Sequence, residues 1–367
     1  MRTLFKEIYS ESFYDKFAEI LNQTIPSFDK VRFKHLIFND DFGAYELKER
    51  MTHTAKILRY FLSGDFGKAT ESIKQIIENL RVAGIKEQII EFMFFHEYIE
   101  MYGIDDYERS VSAFEFITEF TSCAFAVRPY ILRYEKDMLK QMLLWSKHKN
   151  NRVRRLASEG SRPRLPWAMS LPNFKMDPIP ILPILNVLKQ DKCKIVRRSV
   201  SNNLNDISKD NPEVVIEIAK KWQGISKETD ALIKHACRTL LKQGNPEILK
   251  LFGFNSKHIE LSDFHIAEST ISIGSKLAFS FSILNKDTKN TMVRLEYGLY
   301  YKKKSGEFSR KVFKISEREI APNKVYKINR NQNFRLITTR KFCTGKHKLS
   351  IIINGRESKQ KEFELRG

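Results

Sequence analysis

The sequence lacks any apolar run of about 18 residues, the length that a membrane-spanning helix requires. Its N-terminal residues, MRTLFKEIYSESF, also lack the apolar core of a secretory signal peptide. Both absences argue against a membrane partner. We therefore expect a soluble cytoplasmic protein.

Cysteines are few and glycine patterns are missing. The four cysteines lie far apart without a Cys-x-x-Cys spacing, which favours buried free thiols over a disulfide or a zinc site: Cys123, Cys193, Cys237 and Cys343. Neither a Walker nor a dinucleotide-binding glycine pattern is present, so nucleotide-cofactor chemistry is not expected. The sequence thus predicts neither a cofactor nor a metal ion.

Basic residues, by contrast, are abundant. The chain of 367 residues carries 64 Lys and Arg against 44 Asp and Glu, a net charge of +20. Residues 257–367 alone hold 24 basic against 11 acidic residues, a net charge of +13. A polyanion such as nucleic acid is the natural partner of this surface, although solubility alone also explains a basic surface.

Residues 1–252 read as helices, because apolar residues recur every three to four positions in segments such as 47–62 and 211–222. One pattern repeats within this region: VRRLASEG begins at Val153, VRRSVSNNLND at Val196 and IKHACRTLLKQGNP at Ile233. The intervals of 43 and 37 residues are typical of HEAT-like repeats, which stack helix pairs into a solenoid.

Equivalent positions of successive repeats line up along such a solenoid. The aligned basic pairs would form a track near helix N-termini, where phosphates bind well: Arg154/Arg155, Arg197/Arg198 and Lys234/His235. The alternative is that these residues form an ordinary solvated helix face. Three aligned pairs favour the track.

Residues 257–367 change to a period of two, with alternating apolar and polar residues rich in Ile, Val, Phe and Tyr. About seven short strands separated by turn residues favour an all-β immunoglobulin-like sandwich. The predicted architecture is therefore multi-domain, an all-α HEAT-like solenoid over residues 1–252 followed by this sandwich over residues 257–367. Its basic loops 301–305 and 338–346 are expected to add to nucleic-acid binding.

Several long segments carry a family resemblance. The segments RRLASEGSRPRLPW (154–167), RRSVSNNLNDISKDNP (197–212) and IKHACRTLLKQGNPEIL (233–249) resemble the AlkC family of bacterial DNA alkylation-repair glycosylases. ELKER (46–50) and FAVRPY (125–130) match earlier blocks of that family. The basic C-terminal sandwich is similar to the immunoglobulin-like domain of one AlkC subgroup.

The resemblance implies an enzyme of base excision repair that cleaves the N-glycosidic bond of cationic bases, 3-methyladenine and 3-methylcytosine, in duplex DNA. It also implies that the base is not fully extruded from the stack. We expect a monomer that associates with the bacterial nucleoid when bound. The expected DNA-binding residues are Arg128, Arg152, Arg154, Arg155, Arg162, Arg164, Arg197, Arg198, Asn202, Asn203, Lys234, His235 and Arg238.

The chemistry requires a carboxylate beside the sugar, because the developing oxocarbenium charge must be stabilised and a water oriented. Asp206 matches the family's catalytic aspartate, and an exposed Asp near a helix end is the alternative. Trp167 matches the family's aromatic residue at the lesion, where a ring face supports a cation. The alternative for Trp167 is a Trp that packs over the turn containing Pro163 and Pro166.

One position departs from the family pattern. An acidic residue that precedes the FA[IV]RP[FY] block shares the family's active site, and this chain has Ala124 there. Glu119 lies five residues upstream, more than one helical turn away, and does not substitute on the same face. The protein is therefore an altered or weakened family member, or Ala124 is an engineered replacement. Besides a glycosylase, a DNA-binding protein without catalysis and a HEAT-repeat adaptor for proteins stay open.

Overall fold

A computed structural model describes residues 4–85, 87, 89–254, 257–336 and 341–367. The chain forms two compact units. The first comprises Met1–Asn211 and Gln223–Ala236, and the second comprises Pro212–Trp222 and Cys237–Gly367. The predicted division after residue 252 does not coincide with these units, because three helices that precede it belong to the second unit. The limits of the functional domains stay a prediction.

The first unit consists of helices. Its α-helices are α1 (Glu11–Thr24), α2 (Lys30–Ile37), α3 (Leu47–Arg59), α4 (Phe66–Val82), α5 (Phe94–Tyr102), α6 (Tyr107–Phe120), α7 (Val127–Arg133), α8 (Glu135–Trp145), α9 (Asn151–Gly160), α10 (Pro172–Met176), α11 (Leu182–Leu188), α12 (Lys194–Ile207) and α14 (Lys227–Ala236). Three short 3-10 helices occupy Phe5–Ile8, Ile90–Met93 and Ile179–Ile181. No helix of the described residues is long and apolar enough to cross a membrane.

Polar caps fix where many of these helices begin. The side chains of Ser10, Asp29, Asp65, Asp106 and Asn150 each accept a hydrogen bond from a backbone N–H of the first turn that follows. The apolar face of each helix then packs inward, as the three-to-four spacing predicts. The helical-repeat class of this region is confirmed.

The repeat register is right for two copies and wrong for the third. Val153 and Val196 are each the third residue of their helices, α9 and α12, and both are fully buried. The third residue of α14 is the buried Thr229, whereas Ile233 lies one turn further along. Lys234 and His235 therefore lie in the last turn of α14, and the prediction that they flank a helix N-terminus is wrong.

Hydrogen bonds support the corrected register. Arg154 donates to the carbonyl six residues before it, at His148, and Arg197 donates to the carbonyl six residues before it, at Asp191. At the equivalent position of the third repeat, Asp230 accepts from the N–H of Gly224, again six residues before it. In all three repeats, the fourth residue of the helix binds the backbone six residues before it, but in the third repeat the side chain accepts instead of donating. The third repeat has Asp230 and not a basic pair at this position.

The second unit joins three helices and two sheets. Its elements are α13 (Pro212–Trp222), α15 (Arg238–Gln243), α16 (Pro246–Leu251), β1 (Ile259–Ile266), β2 (Thr270–Ser272), β3 (Lys276–Asn285), β4 (Thr291–Lys302), β5 (Phe308–Ile320), β6 (Val325–Asn333), β7 (Gly345–Ile353), β8 (Arg356–Glu357) and β9 (Lys361–Arg366). One sheet has the order β1-β3-β6 and the other β2-β9-β7-β4-β5, with β8 paired to β7. Among the described residues, every strand pairing is antiparallel except that of β2 with β9.

A single apolar core is built from both sheets and includes Phe279, Phe281, Leu295, Leu299 and Ile351. The alternating sequence pattern of the strands supplies these inward residues, and the predicted sandwich is confirmed. The described residues form nine strands, compared with the about seven that the sequence predicted.

Candidate active site

A cleft of about 480 Å³ opens on the first unit. Most of its wall is apolar and comes from α3, the loop before α7 and the segment after α9, with Leu47, Met51, Ile90, Met93, Ala124, Phe125, Leu165, Pro166 and Trp167 among its residues. Its charged residues are Lys48, Arg155, Glu159 and Arg162. The cleft therefore unites the predicted positions 124, 155, 162 and 167 with two residues that were not predicted.

Two carboxylates share one guanidinium at this site. Arg162 donates from Nε to Asp206 Oδ2 at 2.8 Å and from Nη1 to Glu159 Oε1 at 2.7 Å. Glu159 lines the cleft, whereas Asp206 does not and is only 2% exposed. Asp206 is therefore not the exposed helix-end residue of the alternative interpretation. Glu159 is the carboxylate that faces the cleft.

The packing of α9 against α12 holds these groups. Ser199, Asn203 and Asp206 follow one face of α12 at helical spacing. Ser199 Oγ donates to Glu159 Oε2 at 2.6 Å, and Asn203 Nδ2 donates to the carbonyl of Ser158 at 2.8 Å. Asn203 is fully buried, so the prediction that it contacts DNA is wrong, and its amide instead fixes α9 to α12.

Two cations contact the two carboxylates. Lys209 Nζ donates to Asp206 Oδ1 at 3.1 Å, while Arg162 serves both carboxylates. Burial lowers the pKa of Arg162, but the neighbouring Glu159 and Asp206 more than offset this and raise the pKa above its ordinary value. Arg162 is thus a permanent cation that lines the cleft and is almost fully buried, and its contact with DNA stays a prediction.

Trp167 projects from a loop, here called the Trp167 loop (residues 161–171). Its side chain is 63% exposed and its φ is +67°, a left-handed conformation that a bulky residue rarely adopts. Such a conformation costs about 1–3 kcal/mol and persists where the surroundings enforce it, often at functional sites. The ring lies 6.2 Å from the ring of Phe5, so it does not pack down over the proline turn.

Hydrogen bonds from Arg128 hold the Trp167 loop in place. Its Nη1 donates to the carbonyls of Gly160 and Arg162, and its Nε donates to the carbonyl of Met169 at 2.6 Å. Burial lowers its pKa to about 10, and the nearby Arg162 adds to this effect. Arg128 is fully buried, so the prediction that it contacts DNA is wrong. Its role is to hold the loop that carries Trp167.

Gly160 is required where α9 ends against α7. A Cβ at this position would lie 2.7 Å from Cγ2 of Val127. The close approach brings the carbonyl of residue 160 within reach of Arg128. The Glu-Gly-Ser segment of the motif therefore places a carboxylate at the cleft and a close helix contact directly after it.

The two arginines of each repeated pair make different contacts. Arg154 binds Asp191 with two hydrogen bonds, at 2.5 and 3.0 Å, and Arg197 binds the carbonyls of Asp191 and Lys192. The second member of each pair turns elsewhere: Arg155 lines the cleft and Arg198 is exposed. The first arginine of each pair thus stabilises the repeat, and the second is placed for a ligand.

A second groove, of about 550 Å³, lies between α12 and α14 and includes Lys194, Arg197, Arg198, Lys227 and His235. Arg198 Nη1 lies 3.3 Å from His235 Nδ1, and His235 Nε2 lies 3.3 Å from Asn202 Oδ1. The structure therefore brings together three predicted DNA-binding residues. They form a polar chain along a basic groove.

The other predicted residues are dispersed. Arg152 pairs with Glu87 at 2.8 Å, and Arg164 forms a bidentate pair with Asp210 at 2.6 and 2.8 Å. Hydrogen bonds from Arg164 lower the pKa of Asp210. Lys234 is half-buried, and Arg238 begins α15 in the second unit.

The basic loops of the sandwich are partly described. Tyr301 is buried in the core, and Lys303 and Lys304 are exposed at the hairpin between β4 and β5. Lys346 is exposed on β7, while residues 338–340 lie outside the described residues.

The sequence interpretation missed Glu159 and Lys48. Glu159 lies inside the RRLASEGSRPRLPW segment and Lys48 inside ELKER. The position of Glu159 directly before Gly160 could have identified it. Because Gly160 packs closely against α7, the preceding carboxylate is held near the packed backbone.

The geometry agrees with three comparisons. Residues 260–367 match a family described as "Uncharacterised protein YhaZ, C-terminal Ig-like domain". The uncharacterized protein YhaZ of Bacillus subtilis is 41% identical over 362 residues, which cover 98% of this chain and 99% of YhaZ. The Pseudomonas fluorescens alkylpurine DNA glycosylase AlkC, bound to DNA containing an abasic site analogue, superposes with a TM-score of 0.93 at 31% identity over the full length of both chains.

The chain belongs to the AlkC family. Its immunoglobulin-like domain assigns it to the AlkC subgroup that carries this extension. Within the AlkC fold, the Trp167 loop, the carboxylates and the arginine pairs occupy the positions described above. At residue 124 this chain has an alanine that is buried in the cleft wall.

Proposed function

We propose that this protein is a DNA glycosylase that releases cationic N3-methylated bases, 3-methyladenine and 3-methylcytosine, from duplex DNA. The observation that carries the proposal is the pair Glu159 and Asp206, held by one buried arginine beside a cleft with an exposed aromatic ring. The DNA-bound AlkC relative supports DNA as the partner.

The reaction mainly requires electrostatic stabilisation of the positive charge that develops on the sugar. A methylated ring nitrogen makes the base cationic, so the bond between the base and C1′ breaks with its electron pair passing to the base, which leaves neutral. The sugar becomes an oxocarbenium ion, and a water adds to C1′ and loses a proton. The products are the free base, an abasic site and a proton.

Glu159 and Asp206 fit the two tasks in this scheme. A carboxylate stabilises the oxocarbenium charge and accepts the proton of the attacking water. Arg162 and Lys209 offset the two negative charges, and both carboxylates stay ion-paired beside the cleft. The exposed ring of Trp167 offers a flat surface for a base or its neighbour.

Backbone binding is assigned to Arg155 and Arg198, with His235 and Asn202 beside Arg198. Phosphate contacts position the duplex without reading its sequence.

A single-turnover assay tests the proposal. Duplexes with one 3-methylcytosine or 3-methyladenine are incubated with excess protein, and base release is followed above the spontaneous rate. Release that depends on Glu159 and Asp206 supports a glycosylase. Tight, salt-sensitive binding of the lesion with no release above background contradicts it.

A second function is favoured by Ala124. The family position for another acidic residue holds an alanine in the cleft wall, next to the cations Lys48, Arg155 and Arg162. A protein that recognises the lesion without releasing the base would retain the loop, the ring and the basic groove. The same assay decides between the two functions.

A further inference from the structure

The side chain of Lys48 joins three segments of the cleft. Lys48 is the second residue of α3, and its Nζ donates to the carbonyl oxygen of Trp167 at 2.8 Å. The same Nζ lies 5.3 Å from the ring centroid of Phe125, in the loop before α7. A single ammonium group therefore contacts the Trp167 loop and the wall beside Ala124.

The residue that Lys48 contacts is the strained one. Trp167 has a φ of +67° directly after Pro166, whose ring fixes its own φ near about −65°. The neighbouring N–H of Ala168 donates to the carbonyl of Leu165 at 3.3 Å, a long hydrogen bond that closes the turn. The turn itself favours a positive φ at Trp167, and the shorter, charge-assisted contact from Lys48 adds a second restraint on this peptide.

Lys48 is itself held in place. Glu46 caps α3, and its N–H donates to Glu49 Oε2 at 2.7 Å. Arg50 is buried and donates to the carbonyls of Tyr45 and Lys6. Hydrogen bonds of the residues before and after Lys48 thus fix the first turn of α3. The backbone from which the Lys48 side chain extends is therefore held in place.

We propose that Lys48 is a positioning residue that keeps Trp167 in its left-handed conformation, so that the ring projects toward the lesion. Lys48 does not act on the base itself. Without the ammonium group, the peptide after Pro166 relaxes toward negative φ and the ring changes direction. This inference rests on the proposed function insofar as it assigns the ring to the lesion.

A double-mutant cycle on DNA affinity tests the inference without requiring base release. The measured quantity is the preference for a duplex with an abasic-site analogue over an undamaged duplex. We expect Lys48→Met to lower this preference by about tenfold, since a hydrogen bond to a charged group is lost. In a Trp167→Ala protein, Lys48→Met should lower it no further.

Two further variants make the cycle specific. Lys48→Arg keeps a cationic donor and should retain much of the preference, while Lys56→Met removes an exposed lysine from the same helix and should change nothing. Acrylamide quenching reports on the ring directly, because Trp145 and Trp222 are buried and Trp167 is exposed. Lys48→Met should alter the quenchable fraction, and Lys56→Met should not.

The inference is overturned if Lys48→Met binds like the parent, or if it lowers the preference equally in the Trp167→Ala protein. The second result would indicate a direct charge contact with DNA. Failure of the proposed function looks different: the cycle would hold while no variant, including the parent, releases a base.

Discussion

The guanidinium of Arg162 and the carboxylate of Asp206 form a buried ion pair, with both Nε and Nη2 at 2.8 Å from Oδ2. The two residues are 44 positions apart in the sequence, one just after α9 and the other at the end of α12. Because the third nitrogen of the guanidinium binds Glu159, removing the charge of either carboxylate leaves Arg162 with a partner. Charge-neutral variants of the carboxylates are therefore expected to fold.

The first prediction concerns these two carboxylates. Asp206→Asn and Glu159→Gln keep size and hydrogen-bonding reach but remove a negative charge near the reacting sugar. We expect each to lower single-turnover base release by about 10²–10³-fold while DNA affinity stays within about twofold. Ser199→Ala, which removes a hydrogen bond to Glu159 but no charge, serves as the milder control. Parent-like release by Asp206→Asn would exclude it from catalysis.

A second prediction concerns the alanine in the cleft wall. Ala124→Glu places a carboxylate next to Lys48, Arg155 and Arg162, whose positive charges favour the ionised form. We expect base release to rise by on the order of 10²-fold, measured on 3-methyladenine and 3-methylcytosine duplexes. Ala124→Gln has a similar volume without the charge and should not raise the rate. If both variants behave alike, electrostatics at this position do not limit the reaction.

The third prediction separates the two members of an arginine pair. Arg198→Ala should weaken binding to any duplex and reduce the slope of log affinity against log salt by about 0.9, since one phosphate contact is lost. Arg154→Ala should instead lower the free energy of unfolding by about 1–3 kcal/mol, because Asp191 loses its bidentate partner. Urea unfolding and salt titrations of both variants give the comparison. Identical profiles for the two variants would contradict the division of tasks.

A fourth prediction concerns pH and the stability of the helical unit. Burial raises the pKa of Glu100 from 4.5 to about 7, the neighbouring Glu97 adds to this, and Lys48 opposes it. The folded state then binds more protons than the unfolded state between these values, so the free energy of unfolding should fall as pH rises through this range and level off above it.

Glu100→Gln removes this titration. We expect the variant to be more stable than the parent at pH 8, by on the order of 3 kcal/mol, and to match it near pH 4. Denaturant unfolding at both pH values measures the difference, with Glu108→Gln as an exposed control on α6. A constant difference at all pH values would show that packing, and not ionisation, causes the effect.

The sequence by itself determined the two architectures. Apolar residues recur every three to four positions in helices and every two positions in strands because of the geometry of these elements. Both patterns can therefore be recognised in the sequence without knowledge of tertiary contacts. The interval of 43 residues between Val153 and Val196 was also legible, because both residues occupy the same buried position of their helices. Asp206 and Trp167 were identified as candidate site residues from the segments 197–212 and 154–167 alone.

The tertiary structure decided what each charged side chain does. Adjacent arginines such as Arg154 and Arg155 look equivalent in sequence, yet a turn of about 100° per residue aims them at different surroundings. Arg128, Asn203 and Arg162 carry the residue types of a DNA contact, but long-range packing buries them. Lys48 meets the Trp167 carbonyl across 119 residues, a contact that no local pattern contains. Sequence fixes which groups are available, and packing decides which of them reach solvent or a ligand.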